Sequence, residues 1–481
     1  MTGTDKADKA RADREKKLLK SRLPKSPRVS SDVLDIVTED EFALRAHVLR
    51  LIHARLPQWE DWAQVTDPNA IRLERISGAM TNCIYIVHGP PRRVPDTPPM
   101  PWALKLSPSK PSNLSLATKS SYPLPKSEGV VPRRVLLRVY GIGMENYIQR
   151  DRELYWLRKL SETGYGARLL ATFANGRFEE YLDSLTLSKT HLRDPTTSQR
   201  IAEKVCHLHN LADQFPMSPG IAAERAGEPE IWKSLSKYLA MARDGLPAIV
   251  ETYPDRAARA EALKVDELEE VVKRIRNKVE QVGSPIVFAH NDLQYGNLLQ
   301  HSITNEIVIV DYEYSSFNYR GFDIANHFCE WMADYHGPAP HLLDSAQFPT
   351  RDQRMHFFHA YIRAHELQFG TLPPVGRATA PAAPAAAPNE FPFPTTTAAT
   401  AATGSVPPTT AASAEDRERV AHALEREVMT CTLVSHLFWG LWGIVREADM
   451  LGRREIDFDY WWYGAARIET VWRELERVLA L

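Results

Sequence analysis

The spacing of apolar residues changes along the chain and divides it into two parts. From about residue 70 to residue 182, apolar residues occur in short or alternating runs between Gly/Pro turns, which predicts antiparallel strands. The predicted strands are Ile71–Ile76, Cys83–His88, Trp102–Leu106, Val135–Tyr140, Ala167–Thr172 and Arg177–Tyr181, with a helix at Tyr147–Thr163. Residues 33–57 precede this part and predict one or two short helices.

After about Leu187 the apolar residues recur with the period of a helix. The predicted helices include Gln199–Asp213, Ile231–Ala242, Arg256–Val282, Val420–Arg446 and Tyr463–Leu479, interrupted by short strands at Ile286–Ala289, Asn297–Gln300 and Ile307–Val310. This order predicts an α+β, bilobal fold with a small antiparallel-sheet N-terminal lobe and a large, mainly helical C-terminal lobe. We place the lobes at residues 31–182 and 183–481.

Prolines are distributed unevenly over the 481 residues. Of 34 prolines, eleven lie between Pro90 and Pro132 and nine between Pro373 and Pro408. Because proline lacks a backbone donor and breaks helices, the clusters predict a flexible insert at 107–131 and a low-complexity insert at 370–414. Residues 1–30 hold ten Lys/Arg against four Asp/Glu, which predicts a disordered basic tail. A weak contact of this tail with anionic lipid or nucleic acid is the alternative.

Composition is that of a soluble globular protein, with 43% hydrophobic and 25% charged residues. The formal net charge of −2 indicates no nucleic-acid partner. Four widely spaced cysteines without a CxxC pair favour a reducing compartment. The N-terminus lacks an apolar signal stretch, and the most hydrophobic window, Leu433–Val445, is too short to span a bilayer. A cytoplasmic protein without a transmembrane segment is expected, and a homodimer remains open.

One segment carries a phosphoryl-transfer motif. His290-Asn291-Asp292, four further residues and Asn297 reproduce the His-x-Asp-x-x-x-x-Asn spacing of the kinase catalytic loop. Nineteen residues after Asp292, Asp311 ends an apolar strand, where kinases place a second metal-binding Asp. One such residue alone is most often a turn residue or helix cap. Three at these spacings predict a site in which Asp292 deprotonates an alcohol, while Asn297 and Asp311 hold Mg²⁺ through oxygen atoms.

Nucleotide binding also needs a phosphate-covering loop and a basic anchor. The turn from Ser77 to Asn82 lies between two predicted strands, but with one glycine it is a weak signal. The anchor is either Lys105 in WALKL or Arg138 in VLLRVYG, and we favour Arg138 because Lys105 borders the loop insert. The helix that follows offers Glu153 as an ion-pair partner for Arg138.

The segments HNDLQYGN, VDYEYSSFNYRGFDIANHFCEW and HLFWGLWGIVREA resemble the choline/ethanolamine kinase family, over roughly residues 70–365 and 420–470. The resemblance implies a protein-kinase-like fold and ATP- and Mg²⁺-dependent phosphorylation of choline to phosphocholine, the first step of a phosphatidylcholine pathway. It also implies the catalytic set Asp292, Asn297 and Asp311. The nucleotide contacts that it implies are Ser77, Gly78, Ala79, Met80, Thr81, Asn82, Cys83, Arg138, Glu153, Glu180, Tyr181, Leu182 and Gln294.

The chain departs from that family at two kinds of position. Family members usually carry two adjacent glycines where this chain has Ser77-Gly78-Ala79, which leaves open how this loop grips the phosphates. The inserts at 107–131 and 370–414 have no counterpart in the family pattern.

Aromatic residues indicate the acceptor. A quaternary ammonium has no N–H to donate and is bound by aromatic faces and nearby carboxylates; choline cages are a standard example of this interaction. The family resemblance places such a pocket on Tyr314, Glu330, Tyr335, Trp439, Trp442 and Tyr463. A buried core face is the alternative for the tryptophans, and an ion pair within the helical lobe is the alternative for Glu330.

Three other functions remain open at this stage. Ethanolamine is the closest competing acceptor, alone or together with choline. An aminoglycoside-type small-molecule kinase is disfavoured because a polycationic sugar calls for an acidic, open cleft. A catalytically silent binding protein on a kinase fold is disfavoured because Asp292, Asn297 and Asp311 are all present.

Overall fold

The computed structural model describes residues 33–36, 39–76, 82–93, 130–141, 148–163, 165–214, 217–376, 412–452 and 458–481. The chain divides into two compact units, residues 1–183 and residues 184–481. The first unit is built on an antiparallel sheet and the second is mainly helical. The predicted tail at 1–30 and the predicted strand Trp102–Leu106 lie outside the described residues.

The first unit contains a five-stranded antiparallel sheet in the order β1-β2-β3-β5-β4. Its strands are β1 (Arg72–Arg75), β2 (Asn82–Arg93), β3 (Val130–Tyr140), β4 (Leu169–Phe173) and β5 (Gly176–Glu180). Its helices are α1 (Glu41–Arg55), α2 (Glu60–Ala63) and α3 (Arg150–Thr163). Alternating residues such as Val87, Leu137 and Phe178 are buried in the core of this unit, together with Leu51 and Ile52 of α1.

Two strands of this sheet extend further than the sequence predicts. β2 runs through Pro90 and Pro91 and pairs with β3 across a register shift between His88 and Pro91. The pairing of β1 with β2 ends at His88. Beyond His88, β2 has no β1 partner to which it must donate a backbone N–H, so proline is tolerated there. β3 begins at Val130, inside the insert predicted at 107–131. The proline cluster therefore overlaps the ends of two paired strands, and its residues 94–129 lie outside the described residues.

The second unit combines helices with two small antiparallel sheets. Its helices are α4 (Pro195–His209), α5 (Pro219–Ala226), α6 (Glu230–Thr252), α7 (Ala257–Ala262), α8 (Leu268–Val282), α9 (Arg320–Glu330), α10 (Arg351–Phe369), α11 (Ala414–Met450) and α12 (Tyr460–Leu479). Its strands are β6 (Ser184–Thr186), β7 (Ile286–Ala289), β8 (Leu298–His301), β9 (Ile307–Ile309) and β10 (Ser316–Tyr319). β7 pairs with β10, and β6, β8 and β9 form the other sheet.

One sequence prediction needs correction in this unit. The segment Arg256–Val282 is not one helix, because Lys264 adopts a left-handed conformation (φ 49°) between α7 and α8. The break allows Leu263 and Val265 both to be buried, and the indole N–H of Trp472 donates to the carbonyl of Leu263 at 2.8 Å. Of the insert predicted at 370–414, residues 377–411 lie outside the described residues; Ala414 begins α11, and the carbonyl of Pro374 accepts from Arg320 at 2.9 Å.

Helix α11 crosses α12 at a point where both helices carry glycine. A Cβ on Gly443 would lie 2.8 Å from the Cα of Gly464, and one on Gly464 would lie 2.7 Å from the carbonyl oxygen of Gly440. The two backbones therefore approach more closely than other residues permit. This crossing brings the aromatic residues beside these glycines, on α11 and on α12, into one cluster.

Helix α11 is also the one described helix that is long and apolar enough to cross a membrane by length and composition. The apolar stretch is longer than the window Leu433–Val445 suggests, so the sequence argument from its shortness is wrong. The most apolar 18 residues of this helix are 94% buried inside the protein. Helix α11 is thus packed as the core helix of this unit.

Candidate active site

The segment between β7 and β8 forms the predicted catalytic loop. His290 is fully buried, its Nε2 lies 3.0 Å from the carbonyl oxygen of Val310, and its Nδ1 accepts from the backbone N–H of Asp292 at 3.2 Å. Burial lowers the pKa of His290, which keeps the ring neutral with its proton on Nε2. His290 therefore fixes the loop to the segment after β9 and has no free nitrogen for proton transfer.

Asp292 and Asn297 face each other across this loop. The amide nitrogen of Asn297 donates to Oδ2 of Asp292 at 2.8 Å and to the carbonyl oxygen of Asp292 at 2.9 Å. This orientation turns the Asn297 amide oxygen away from Asp292, as a metal ligand requires. Burial, and then the negative charges of Glu330, Asp311 and Glu313, raise the pKa of Asp292 well above its ordinary value. The loop therefore holds a carboxylate that is more basic than an exposed one.

Asp311 follows β9 in a left-handed conformation, with φ 68°. The short helical turn after it, Tyr312–Tyr314, brings Glu313 back beside it. A carboxylate oxygen of Asp311 and one of Glu313 lie within 4.8 Å of each other. Two carboxylates and the amide oxygen of Asn297 form a set of hard oxygen donors that suits Mg²⁺. Asp311 was predicted from the sequence, whereas Glu313 was not; its position two residues after Asp311 is the signal that could have identified it.

One face of α9 holds the catalytic loop in place. Asp323 accepts the backbone N–H groups of His290 at 2.9 Å and Asn291 at 2.7 Å. The next turn contributes Asn326, whose amide nitrogen donates to the carbonyl of Asn291 at 3.3 Å. His327 Nδ1 lies 3.0 Å from the carbonyl oxygen of Leu293. These polar side chains, spaced three and four residues apart, share one helix face with Glu330.

Asp323 remains ionised in the interior. Burial opposes its charge, but the hydrogen bonds from the His209 side chain 3.0 Å away and from the backbone N–H groups of the catalytic loop lower the pKa of Asp323 below its ordinary value. His209 in turn places Nδ1 3.0 Å from the hydroxyl of Tyr361 on α10. The backbone of the catalytic loop is therefore anchored to a buried, charged acceptor.

The six residues predicted for the acceptor pocket lie together in the second unit. The ring of Tyr314 lies 5.3 Å from that of Trp439, and Trp439 lies 5.4 Å from Trp442. Trp442 is 6.3 Å from Tyr463, and all three contacts are tilted or edge-to-face. Tyr335 joins the group by donating its hydroxyl to Glu330 at 2.5 Å. We call Tyr314, Trp439, Trp442 and Tyr463 the aromatic wall.

Glu330 is both a member of this cluster and an ion-pair partner. Its Oε1 accepts from Nη2 of Arg467 at 2.7 Å, and both side chains are buried. The Arg467 guanidinium also lies 4.6 Å from the ring centre of Tyr463. Glu330 therefore forms the ion pair that was the alternative interpretation of this residue. Its partner Arg467, which was not predicted from the sequence, balances its charge. Because Arg467 neutralises Glu330, the aromatic rings are the main groups in this cluster that could attract a cation.

In the first unit, the predicted Arg138–Glu153 pair is replaced by a larger buried network. Nε of Arg138 lies 3.6 Å from Glu179, whereas Glu153 lies 2.6 Å from Arg177. Arg177 also contacts Glu179, so the two predicted residues are connected through two others. Burial opposes the charge of Arg177, but the negative charges of Glu179 and Glu153 raise its pKa well above the ordinary value. Arg177 and Glu179 alternate on β5, a signal that sequence analysis missed.

The other predicted nucleotide contacts are only partly described. Of the Ser77–Cys83 turn, residues 77–81 lie outside the described residues, while Asn82 is buried and Cys83 half-buried at the start of β2. Glu180 ends β5 with its carboxylate paired to Arg168 at 3.0 Å. Tyr181, in the segment that leads to Leu182, lies under the Arg134 guanidinium at 4.2 Å.

In the second unit, Gln294 caps the turn of the catalytic loop. Its Oε1 accepts the backbone N–H of Gly296 at 2.8 Å. The nucleotide contact of Gln294 stays a prediction.

A sheet unit, a helical unit and this loop define a protein-kinase-like phosphotransferase, and comparison with known proteins agrees. A family model for choline/ethanolamine kinase matches residues 73–472. A protein named probable choline kinase 2 from Arabidopsis thaliana is 30% identical over 445 residues, covering 92% of this chain and 96% of that protein.

Two solved structures share the fold. An ethanolamine kinase from Plasmodium vivax has a TM-score of 0.59 and 19% identity, covering 93% of this chain and 92% of its own. A choline kinase from Cryptosporidium parvum has a TM-score of 0.55 and 20% identity, covering 90% of this chain and 96% of its own. The predicted α+β protein-kinase-like fold is confirmed. The chain belongs to the choline/ethanolamine kinase family.

Proposed function

We propose that this protein transfers the γ-phosphoryl group of ATP to the hydroxyl of choline, forming phosphocholine and ADP. The observation that carries the proposal is the aromatic wall beside the catalytic loop. Tyr314, the first residue of that wall, is also hydrogen-bonded through its carbonyl to Asn291 at 2.8 Å. An acceptor held against the wall is therefore held by the same segment that carries Asp292.

Recognition of the acceptor rests on its charge and its lack of donors. The trimethylammonium group of choline is attracted by aromatic faces and makes no hydrogen bonds. Because Arg467 already pairs with Glu330, the pocket does not depend on one free carboxylate to hold the cation. Tyr335 and Glu330, hydrogen-bonded to each other, are the polar members of this cluster. This division of roles favours choline over a primary ammonium, which needs three acceptors.

Asp292 is the residue that we assign as general base. Its raised pKa makes it a better proton acceptor for the choline hydroxyl than an exposed aspartate. The hydrogen bond from Asn297 keeps Oδ2 in a fixed position. The proton of the hydroxyl passes to the Asp292 carboxylate as the oxygen bonds to phosphorus and the bond from phosphorus to ADP breaks.

Asn297 and Asp311 are the residues that we assign to Mg²⁺, with Glu313 as an additional carboxylate at the same position. The donor set fits this cation, since all three offer hard oxygen atoms. When bound, the cation neutralises charge on the transferred phosphoryl group. In the first unit, Asn82, Cys83, Arg138 and the segment Glu180–Leu182 are proposed to bind the nucleotide, Arg138 through its phosphates.

Ethanolamine is the second candidate acceptor. The fold is shared with a protein named ethanolamine kinase, and relatives of both names exist. We place the reaction in the cytoplasm, at the first step of phosphatidylcholine synthesis, as the family resemblance implies.

The proposal is tested by measuring ADP release from the purified full-length protein. We expect release only when choline, ATP and Mg²⁺ are all present, and its loss when EDTA removes the cation. Absence of phosphorylation of both choline and ethanolamine would refute the proposal, and binding of ATP without any turnover would favour a silent kinase fold.

Asp311→Asn is expected to need a higher Mg²⁺ concentration for half-maximal rate, because one carboxylate ligand is lost.

A further inference from the structure

Asn326 is the point at which the aromatic wall and the catalytic loop meet. Its side chain is fully buried in the middle of α9. Its Oδ1 accepts from the indole N–H of Trp439 at 2.7 Å and from the hydroxyl of Ser435 at 2.9 Å. Both donors lie on α11, so this amide oxygen fixes the orientation of the Trp439 ring.

The other end of the same amide reaches the catalytic loop. The Asn326 nitrogen donates to the carbonyl oxygen of Asn291 at 3.3 Å. Asn291 directly precedes Asp292 and is held in a left-handed conformation with φ 67°. Asparagine adopts this conformation more readily than most residues, and the hydrogen bonds of its side chain hold it here. One planar amide therefore sets the position of Trp439 relative to the residue that precedes the base.

The side chain of Asn291 makes further hydrogen bonds to the segment that carries Tyr314. Its amide nitrogen donates to the carbonyl of Tyr314 at 2.8 Å and to the hydroxyl of Ser316 at 2.7 Å. Its amide oxygen accepts from Asn318 at 3.1 Å. The loop is thus tied to two members of the aromatic wall, to Tyr314 through Asn291 and to Trp439 through Asn326.

We propose that Asn326 is a positioning residue that sets acceptor specificity by fixing the Trp439 ring relative to Asp292. This inference rests on the proposed function, since it concerns the acceptor of that same site. A quaternary ammonium is bound through the face of the ring, so its position follows the tilt of the indole. A primary ammonium can be held by hydrogen bonds and depends less on that tilt. Asn326 therefore favours choline without touching it.

A double-mutant cycle tests the proposal with Asn326→Ala, Trp439→Phe and the combined variant. The Phe substitution keeps an aromatic face but removes the N–H that Asn326 accepts. We expect Trp439→Phe to lower kcat/KM for choline by about tenfold, the usual effect of breaking a buried hydrogen bond, and Asn326→Ala to lower it further, because the donor to Asn291 is lost as well. Because both changes break the bond between Asn326 and Trp439, the combined variant is expected to lose no more than N326A alone, and not a further tenfold.

Two further readouts separate positioning from a merely structural role. The KM for ATP is expected to stay within about twofold of wild type, and the preference for choline over ethanolamine is expected to fall in N326A. Asn210→Ala serves as the control, because its side-chain amide donates within α4. We expect that control to leave both acceptor constants unchanged. Independent effects that multiply in the combined variant would overturn the proposal, as would an unchanged acceptor preference in N326A.

Asn326→Asp provides a second route if the alanine variant does not fold. The carboxyl oxygen still accepts from Trp439, but the donor to Asn291 is lost. We therefore expect KM for choline to stay near wild type while kcat falls about tenfold; a rise in the KM for ATP instead would contradict the proposal. Wild-type turnover of choline is measured alongside, so that failure of the proposed function is recognised separately from failure of this inference.

Discussion

Replacement of Asp292 by asparagine is expected to lower kcat for choline by a factor of about 10²–10⁴, the range that a general base contributes. Asparagine keeps the shape of the side chain but has no carboxylate to accept the hydroxyl proton. The KM for ATP is expected to change little, because we assign Asp292 to the acceptor. Steady-state assays of choline phosphorylation with the purified variant measure both constants.

The same variant is expected to be at least as stable as wild type. Burial and the charges of Glu330, Asp311 and Glu313 raise the pKa of Asp292, so keeping its carboxylate ionised costs the folded protein free energy. Asparagine removes that penalty, and thermal unfolding should show an unchanged or higher Tm. Asp352→Asn, at an exposed position at the start of α10, is the matched control and should retain full activity. A D292N enzyme that keeps more than about a tenth of wild-type kcat contradicts the role assigned to Asp292.

Replacement of Arg320 by methionine is expected to destabilise the helical unit by about 3–5 kcal/mol, the usual effect of leaving one buried charge without its partner. Arg320 starts α9 and is paired with Glu427 of α11 at 2.6 and 3.1 Å, with both side chains buried. Glu427 also accepts the hydroxyl of Ser284 at 3.0 Å, which does not replace a cation. Urea unfolding monitored by circular dichroism measures the loss.

Two further variants show whether the loss of stability in R320M comes from the unpaired buried charge of Glu427. The double variant R320M/E427M removes both charges and is expected to recover most of the lost stability. Arg419→Met breaks an exposed ion pair with Asp416 and is expected to change stability by less than about 1 kcal/mol. If R320M proved no less stable than R419M, the buried pair would not be what holds α9 against α11.

The motif residues of the helical unit could be identified from the sequence because they lie close together along the chain or are chemically distinctive. Asp292, Asn297 and Asp311 follow a spacing that the loop geometry enforces, and tryptophans on α11 stand out as a pair. Prediction of fold class succeeded for a similar reason, since a change of hydrophobic period separates strands from helices. Both signals are local along the chain.

The residues that support the site were not accessible in this way. Asp323, Asn326 and His327 form a buried polar face on α9, whereas hydrophobic periodicity identifies only the apolar faces of a helix. Their partners are backbone groups of a loop more than thirty residues away in sequence. The network of Arg177 and Glu179 also depends on strand pairing, which sets charged residues of β5 beside Arg138. Long-range pairing of polar groups leaves no local pattern.

Helix and strand ends were missed for a different reason. Prolines in β2 are tolerated where the neighbouring strand has ended, and Lys264 breaks a helix although its sequence carries no glycine or proline there. At Lys264 the burial of Leu263 and Val265 on either side decides the backbone conformation and overrides local helix preference.

The central claim is that this enzyme phosphorylates choline in preference to ethanolamine, and a competition experiment tests it most directly. Wild-type protein, ATP and Mg²⁺ are incubated with equal concentrations of the two amino alcohols, and the products are resolved by ³¹P NMR at early times. The initial product ratio equals the ratio of the two kcat/KM values. The account predicts that phosphocholine predominates. Predominance of phosphoethanolamine, or the formation of neither product, would contradict it.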